Sequence, residues 1–194
     1  LKEVNPRIFI YGEGWTCGDS PLPVERRALK ENVAKMEGIA VFSDDIRDGL
    51  KGSWANAKEP AFAAGYQGYD ETIKFSVVAA TEHDSIHYGL VKYVNFPYAA
   101  QPSQVINYVS CHDDLCLVDK INYSSPYGAT PLEKRKFNRI SQSIVFLSQG
   151  VPFIYAGEEL MRNKKGVHNT YQSPDSINQI DWNFKKTNLD MYNY

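Results

Sequence analysis

Four short apolar runs, Ile8–Tyr11, Ile39–Ser43, Val105–Ser110 and Val151–Tyr155, punctuate a chain that is otherwise mixed or polar. Runs of this length, stopped abruptly by glycine or charge, read as strands of a parallel sheet buried on both faces. Helical periodicity fills the intervals. Over Val24–Met36 the apolar residues Val24, Ala28, Val33 and Met36 recur at helical spacing, and Glu25, Arg26, Arg27, Lys30 and Glu31 fall mostly on the outer face. Asp70–Ala80 offers Asp70 as N-cap, with Ile73, Val77, Val78 and Ala80 turned inward. Thr130-Pro131-Leu132-Glu133 combines a capping box with proline in the first turn. The helix it opens, Pro131–Ser148, is expected to bury Phe137, Ile140, Ile144 and Leu147 and to use Gly150 as C-cap. The resulting order β-α-β-α-β-α-β implies parallel strands joined by right-handed crossovers.

Each predicted strand is followed by polar, glycine-rich or aromatic sequence: Gly12-Glu13-Gly14-Trp15, Asp44-Asp45-Ile46-Arg47-Asp48-Gly49, His112-Asp113-Asp114 and Gly157-Glu158-Glu159. Functional groups thus collect at the carboxyl edge of the sheet, as in a (β/α)₈ barrel, of which four strands are half. The stretch Gly49–Gln104 holds one clear helix and reads partly as an elaborated loop beside the cleft.

The length of 194 residues suits one domain or part of a larger one. A net charge of -2 without a Lys/Arg block argues against a nucleic-acid partner. No run approaches the roughly 20 apolar residues of a membrane span. Leu1-Lys2-Glu3 lacks signal-peptide character, so the start reads as artificial or processed. Cys17, Cys111 and Cys116 have no CxxC spacing, which indicates neither a disulfide framework nor a zinc site. Thirteen tyrosines, within 13% aromatic residues, suit stacking on flat ligand faces such as sugar rings as well as core packing.

Glu13 and Asp113 each end an apolar run, so two strands can deliver two carboxylates to one cleft. That pair suits acetal hydrolysis, in which one carboxyl protonates the leaving oxygen and the other stabilises or captures an oxocarbenium-like centre. Glu13 is the better acid candidate, because the apolar bodies of Tyr11 and Trp15 would desolvate it. A structural Glu, hydrogen-bonded at a strand end, is the alternative. The dipeptide His112-Asp113 could orient vicinal hydroxyls, bind a metal, or serve a phosphoesterase. His83 and His87 are spaced i, i+4 without a Glu in HExxH placement, and no metal set is assigned. Asp44, Asp45, Arg47 and Asp48 read as an internally paired loop in which Arg47 neutralises one or two acids. Trp15 is a candidate stacking platform, with Trp54 and Trp182 weaker versions of it.

In order along the chain, Tyr11-Gly-Glu-Gly-Trp15, Phe42-Ser-Asp-Asp-Ile-Arg-Asp-Gly-Leu-Lys-Gly52, Ile106-Asn-Tyr-Val-Ser-Cys-His-Asp-Asp114, Ser148-Gln-Gly-Val-Pro152 and Asn169-Thr-Tyr-Gln-Ser-Pro-Asp-Ser-Ile-Asn-Gln-Ile-Asp-Trp182 resemble the type I pullulanases. These are α-1,6-debranching members of the α-amylase superfamily, glycoside hydrolase family 13. The resemblance runs essentially end to end. It implies a retaining mechanism on a (β/α)₈ barrel, with Glu13 as general acid/base and Asp113 as the acid that stabilises the transition state. It further implies that His112 hydrogen-bonds the sugar at the cleaved bond and Trp15 is the acceptor-side platform. Arg162, Asp175 and Asn178 fall in the substrate-lining segment after the eighth strand. Asp114 departs from the family, which usually has Asn there.

The family's nucleophilic Asp, in a motif of the kind G-F-R-F-D, has no counterpart in this chain, nor does the D-x-x-x-N-H block of the third strand. By resemblance the chain is the C-terminal half of the catalytic barrel, strands five to eight, and all of it, 1–194, belongs to that one partial domain. It is expected to be inactive alone, because a retaining glycosidase without its nucleophile forms no glycosyl-enzyme. Its expected partners are an α-glucan and either the missing N-terminal half or a second copy joined through the exposed half-barrel edges. No cofactor is required; a structural calcium is neither assigned nor excluded. Extracellular or periplasmic residence is common in the family. Two other readings stand beside debranching: another α-amylase-superfamily specificity (α-1,4 hydrolysis or transglycosylation), against which the Ser173–Trp182 block argues, and a non-catalytic glucan-binding module.

Overall fold

The computed structural model describes residues 1–194. Four strands, β1 (Ile10–Gly12), β2 (Ile39–Ser43), β3 (Val105–Asn107) and β4 (Val151–Pro152), form one sheet in chain order, every neighbour parallel. Ile10 pairs with Ile39, Val41 with Val105 and Ile106 with Val151. The helices are α1 (Asp44–Lys51), α2 (Asp70–Val77), α3 (Leu117–Ser124), α4 (Pro131–Leu147), α5 (Asp175–Asn178), α6 (Asn183–Thr187) and α7 (Leu189–Tyr192). No helix is long and apolar enough to cross a membrane.

All four predicted strands are present, three of them shorter than their apolar runs. Beyond Asn107, the residues Tyr108, Val109 and Ser110 stay buried without ladder bonds. The helix expected over Val24–Met36 is instead two 3₁₀ turns, Val24–Arg26 and Lys30–Lys35. Asn32 is the cause: its side-chain amide donates to the carbonyls of Val24 (2.8 Å) and Arg27 (2.9 Å), fastening an extended break between the turns. The Asp44–Asp48 cluster is not a loop but the start of α1. Ser43 Oγ accepts from the Ile46 amide, and Asp44 and Asp45 in the first turn favour a helix start. α2 opens after Tyr69, with Asp70 inside the first turn rather than at the cap, and ends before Ala79 and Ala80, both at positive φ.

α4 has the predicted capping box, Thr130 Oγ1 accepting from the Glu133 amide and Glu133 Oε2 from the Thr130 amide. Its buried face matches the predicted one only in part. Asn138, Ser141 and Val145 are buried, Phe137 and Ile144 are partly so, and Ile140 and Leu147 are exposed, the latter by 84%. The helix ends at Ser148, and Gly150 (φ 102°) lies instead where β4 begins, its Cα side 2.9 Å from the Val105 carbonyl for any added Cβ.

One core cluster joins Ile46 and Leu50 of α1 to Ile73 of α2, Leu117 and Ile121 of α3, and Val145 of α4. A second covers the sheet with Phe75, Ala79, Ile86, Val91, Tyr98 and Ala99 over Val41 and Val105. Gly49–Gln104 is in part a packed crossover layer, built on α2 and residues 86–99, and in part the expected loop beside the cleft, where Trp54 lines a hollow. Aromatic rings from all four strand segments run across the sheet in edge-to-face contact: Tyr11 on Phe42 (5.8 Å between centroids), Phe42 on Tyr108 (5.0 Å) and on Phe153 (5.3 Å).

Candidate active site

Parallel strands point the same way, so the segments that leave them open together at the carboxyl edge. There Tyr11, Glu13, Trp15, Phe42, Arg47, Tyr108, His112, Asp113 and Phe153 line a cleft of about 280 Å³. It continues into a second hollow of about 320 Å³ bounded by Trp15, Asp44, Arg47, Trp54, Asp113, Asp114 and Asn169. Glu13 leaves β1 one residue past Gly12, and Gly14, at φ 83°, turns the chain so that Trp15 reaches the same space. Glu13 is exposed, so Tyr11 and Trp15 do not bury it within this chain. Its Oε2 accepts from Cys17 Sγ at 3.1 Å, a contact that the odd, unpaired cysteine gave no reason to expect.

His112 Nε2 stands 3.3 Å from Asp113 Oδ1, and both side chains open to the cleft. Asp114 adopts φ 57°, a left-handed geometry that Asn and Asp tolerate best, and pairs with His168 (3.2 Å). The floor is Arg47. Its guanidinium bonds Asp48 (2.6 and 3.0 Å) and donates to the Tyr108 hydroxyl at 2.8 Å. Burial works against that charge, but the Asp48 carboxylate outweighs it and holds the guanidinium above its ordinary pKa. The expected pairing of Arg47 with a neighbouring acid is thus present, on a helix; Asp45 is satisfied separately by Lys30, the Val94 amide and the Tyr98 hydroxyl.

Arg162, Asp175 and Asn178 do not line either hollow. Arg162 is buried, lies over the Tyr155 ring and donates to the carbonyls of Ala156 (2.9 Å) and Asn178. Asn178 donates to the carbonyls of Thr170 (2.7 Å) and Ser173 (3.0 Å). Both side chains are spent on backbone, while Asp175 is exposed at the start of α5. No cluster of three His, Cys, Asp or Glu side chains has a geometry suited to a metal ion.

Sequence reading ranked Trp54 only as a weaker stacking platform, gave Cys17 and Asn169 no site role, and missed a layer of buried charge beneath the edge. Glu158 is fully enclosed, Oε1 has no partner, and burial pushes its carboxyl up to about 7 against Ser110 and Lys51. Lys120, pushed down to about 8 by burial, donates to Ser53 and Asn56 carbonyls and so fixes the loop that carries Trp54. Glu158 did follow a predicted strand; nothing in the local pattern marks the lysines.

No protein-family model matches the chain. It is similar to the pullulanase of Bacillus subtilis, 36% identical over 185 residues that cover 95% of this chain and 24% of that protein. It is also 27% identical to the chloroplastic pullulanase 1 of Arabidopsis thaliana, over 94% of this chain and 22% of that one. Among solved structures, the type I pullulanase of Bacillus subtilis complexed with maltose superposes with a TM-score of 0.89, at 35% identity over all of this chain and 26% of its own. A variant pullulanase from Paenibacillus barengoltzii complexed with maltotetraose gives 0.88 at 37% identity, covering all of this chain and 28% of that one. The chain spans about a quarter of the length of the relatives it matches.

Proposed function

We propose that this chain, a pullulanase segment of the α-amylase family, supplies the acid side of a retaining site that hydrolyses α-1,6-glucosidic branch links in pullulan, starch or glycogen-type glucans. The observation that carries the reading is the convergence of Glu13, Trp15, His112 and Asp113 on one cleft from the ends of two strands that are not sheet neighbours. Glu13 protonates the leaving glycosidic oxygen and later deprotonates the attacking water. Asp113 carries negative charge beside the oxocarbenium-like centre, and His112 hydrogen-bonds the same sugar. Trp15 stacks on the acceptor side. Arg162 and Asn178 serve substrate by fixing the backbone of the 156–178 segment; Asp175 contributes its free carboxylate at that segment's surface.

The chain is read as strands five to eight of a (β/α)₈ barrel. Support comes from the strand order, all parallel and consecutive, and from the row of aromatic rings on the face opposite the helices, which suits a barrel interior. The nucleophile comes from a complementing segment, so the chain alone does not turn over. Acid/base glycoside hydrolysis of this kind requires no cofactor.

Mixing the chain with a segment that carries the first four strands, or joining the two, and measuring reducing ends released from pullulan tests this. Release by the wild-type mixture, none by the chain alone and none with Glu13→Gln is the expected result. Release by the chain alone would overturn the assignment of the nucleophile. Binding of maltotriose without hydrolysis in any mixture would favour a glucan-binding module.

A further inference from the structure

We infer that Lys51 and Lys164 are positioning residues that clamp the two ends of the loop bearing His112 and Asp113. The inference rests on the catalytic reading of Asp113. Residues 111–116 connect the buried end of the β3 segment to α3 and have no regular backbone pairing. Two of the loop's carbonyls are met from beneath by ammonium groups. Lys164 Nζ donates to the His112 carbonyl at 2.9 Å, and Lys51 Nζ donates to the Leu115 carbonyl at 2.8 Å. Asp113 lies between these two attachment points. Its own carbonyl meets only the Cys111 thiol, at 3.9 Å, so its placement is inherited from its neighbours.

The lysines come from different units. Lys51 is the last residue of α1, and Lys164 follows the 3₁₀ turn Glu158–Leu160 after β4. Together they tie the β3 loop to the crossover units on either side of it. Lys51 faces Glu158, Asp48, Arg47 and Cys111; Lys164 faces Asp119, Arg162, Cys116 and Cys111. Both residues are buried, at 5% and 0% exposure. A buried lysine Nζ has donors and no acceptor, and removing it leaves the backbone carbonyl it meets without a partner. What an apolar side chain cannot do is hold a carbonyl in place. A carboxylate that stabilises developing positive charge must be set to within about 0.5 Å, and a misplacement of about 1 Å can cost on the order of 100-fold in rate.

The test uses the complete barrel, this chain joined to the segment carrying the nucleophile, with Lys51→Met and Lys164→Met, which keep volume and remove the donor. Pullulan hydrolysis gives kcat and KM, and amide hydrogen exchange reads Leu117 and Asn169, whose amides donate to Ser110 Oγ and to the Asp114 carbonyl at the loop. The expected result is a fall in kcat of about 10- to 100-fold with KM changed less than about 3-fold. Exchange should accelerate at these two amides and not in α4, and Lys→Arg, which keeps charge and donors, should recover part of kcat. An unchanged kcat with a lower melting temperature would reduce both lysines to structural residues and overturn the inference. Should a Met variant fail to fold, Lys→Gln at the same position is judged on the same two readouts. If the wild-type barrel does not hydrolyse pullulan, the functional reading falls by itself. The exchange measurement then decides the clamp, local acceleration supporting it and unaltered exchange refuting it.

Discussion

Cys17 and Glu13 are joined by a hydrogen bond, Sγ to Oε2 at 3.1 Å, one helical turn apart in sequence but on an irregular loop at the mouth of the cleft. The bond to Glu13, slight burial and the carboxylate's charge all raise the thiol above its ordinary pKa. Only the thiolate alkylates rapidly, so Glu13 protects the one exposed cysteine. Glu13→Ala should therefore speed iodoacetamide labelling of Cys17 at pH 8 by roughly 2- to 5-fold, followed by mass spectrometry. Cys116, buried and pushed up to about 12, is an internal reference that should not change. Equal Cys17 rates in both proteins would mean the contact does not persist in solution.

Glu158 makes stability depend on pH. Burial raises its folded pKa to about 7 from an unfolded value of 4.5. Between those values the folded state binds more protons than the unfolded one. Its contribution is thus fully present below pH 4.5 and is lost as pH rises through 7, an effect of at most about 3 kcal/mol. Urea unfolding at pH 4.5, 6 and 7.5 should show this decline in the wild type and a flatter profile in Glu158→Gln. A wild-type stability that rises over that window would contradict the assignment.

Gly14 permits the turn that sends Glu13 and Trp15 into the same cleft. An added Cβ would lie 2.8 Å from Val41 Cβ, and φ is 83°. Neither the clash nor the dihedral is relieved by a rotamer change. Gly14→Ala should cost about 1–3 kcal/mol and abolish hydrolysis in the completed barrel. Retained activity would show that the turn can rearrange without moving Glu13.

Thr130 fixes the start of α4 through reciprocal bonds with Glu133, Glu133 Oε2 accepting from the Thr130 amide at 2.7 Å. Thr130→Ala should destabilise by about 1 kcal/mol in thermal or urea unfolding, without altering any kinetic constant of the completed barrel. A change in kcat would mean that α4 couples to the cleft.

What was legible and what was not divide along physical lines. Thr130–Glu133 and the four apolar runs are local signals, and their elements are present. The Asp44–Asp48 cluster was legible in its internal pairing but not in its backbone: it read as a paired loop, whereas the Ser43 cap and two first-turn acids make it helical, and Asp45 finds partners as distant as Tyr98. The α4 stripe held only in part: Phe137 and Ile144 pack on the core, but the face turned inward also carries Asn138 and Ser141, while Ile140 and Leu147 lie outside it. Glu13 and Asp113 were marked by their place after apolar runs. The lysines beneath them had no such mark, since a lysine that bonds a carbonyl 52 residues away looks in sequence like any surface lysine.

That exposed stripe, with the open sheet edges, bears on how the chain behaves alone. Leu132, Ile140, Phe146 and Leu147 are exposed on α4, and Phe9 and Tyr11 are exposed on the opposite side of the sheet, where β1 is an unpaired edge. Two apolar surfaces and two free edges of parallel backbone favour association. Sedimentation velocity of the isolated chain should show concentration-dependent dimers or larger species. On the half-barrel reading proposed above, a segment carrying the first four strands would cover the β1 and β4 edges and the aromatic row. Adding it should therefore replace those species with one stoichiometric complex, and Phe9→Ser with Tyr11→Ser should weaken self-association of the lone chain more than Leu132→Ser does. A lone chain that stays monomeric at high concentration would mean that neither edge nor face is available in solution, and would count against the half-barrel reading itself.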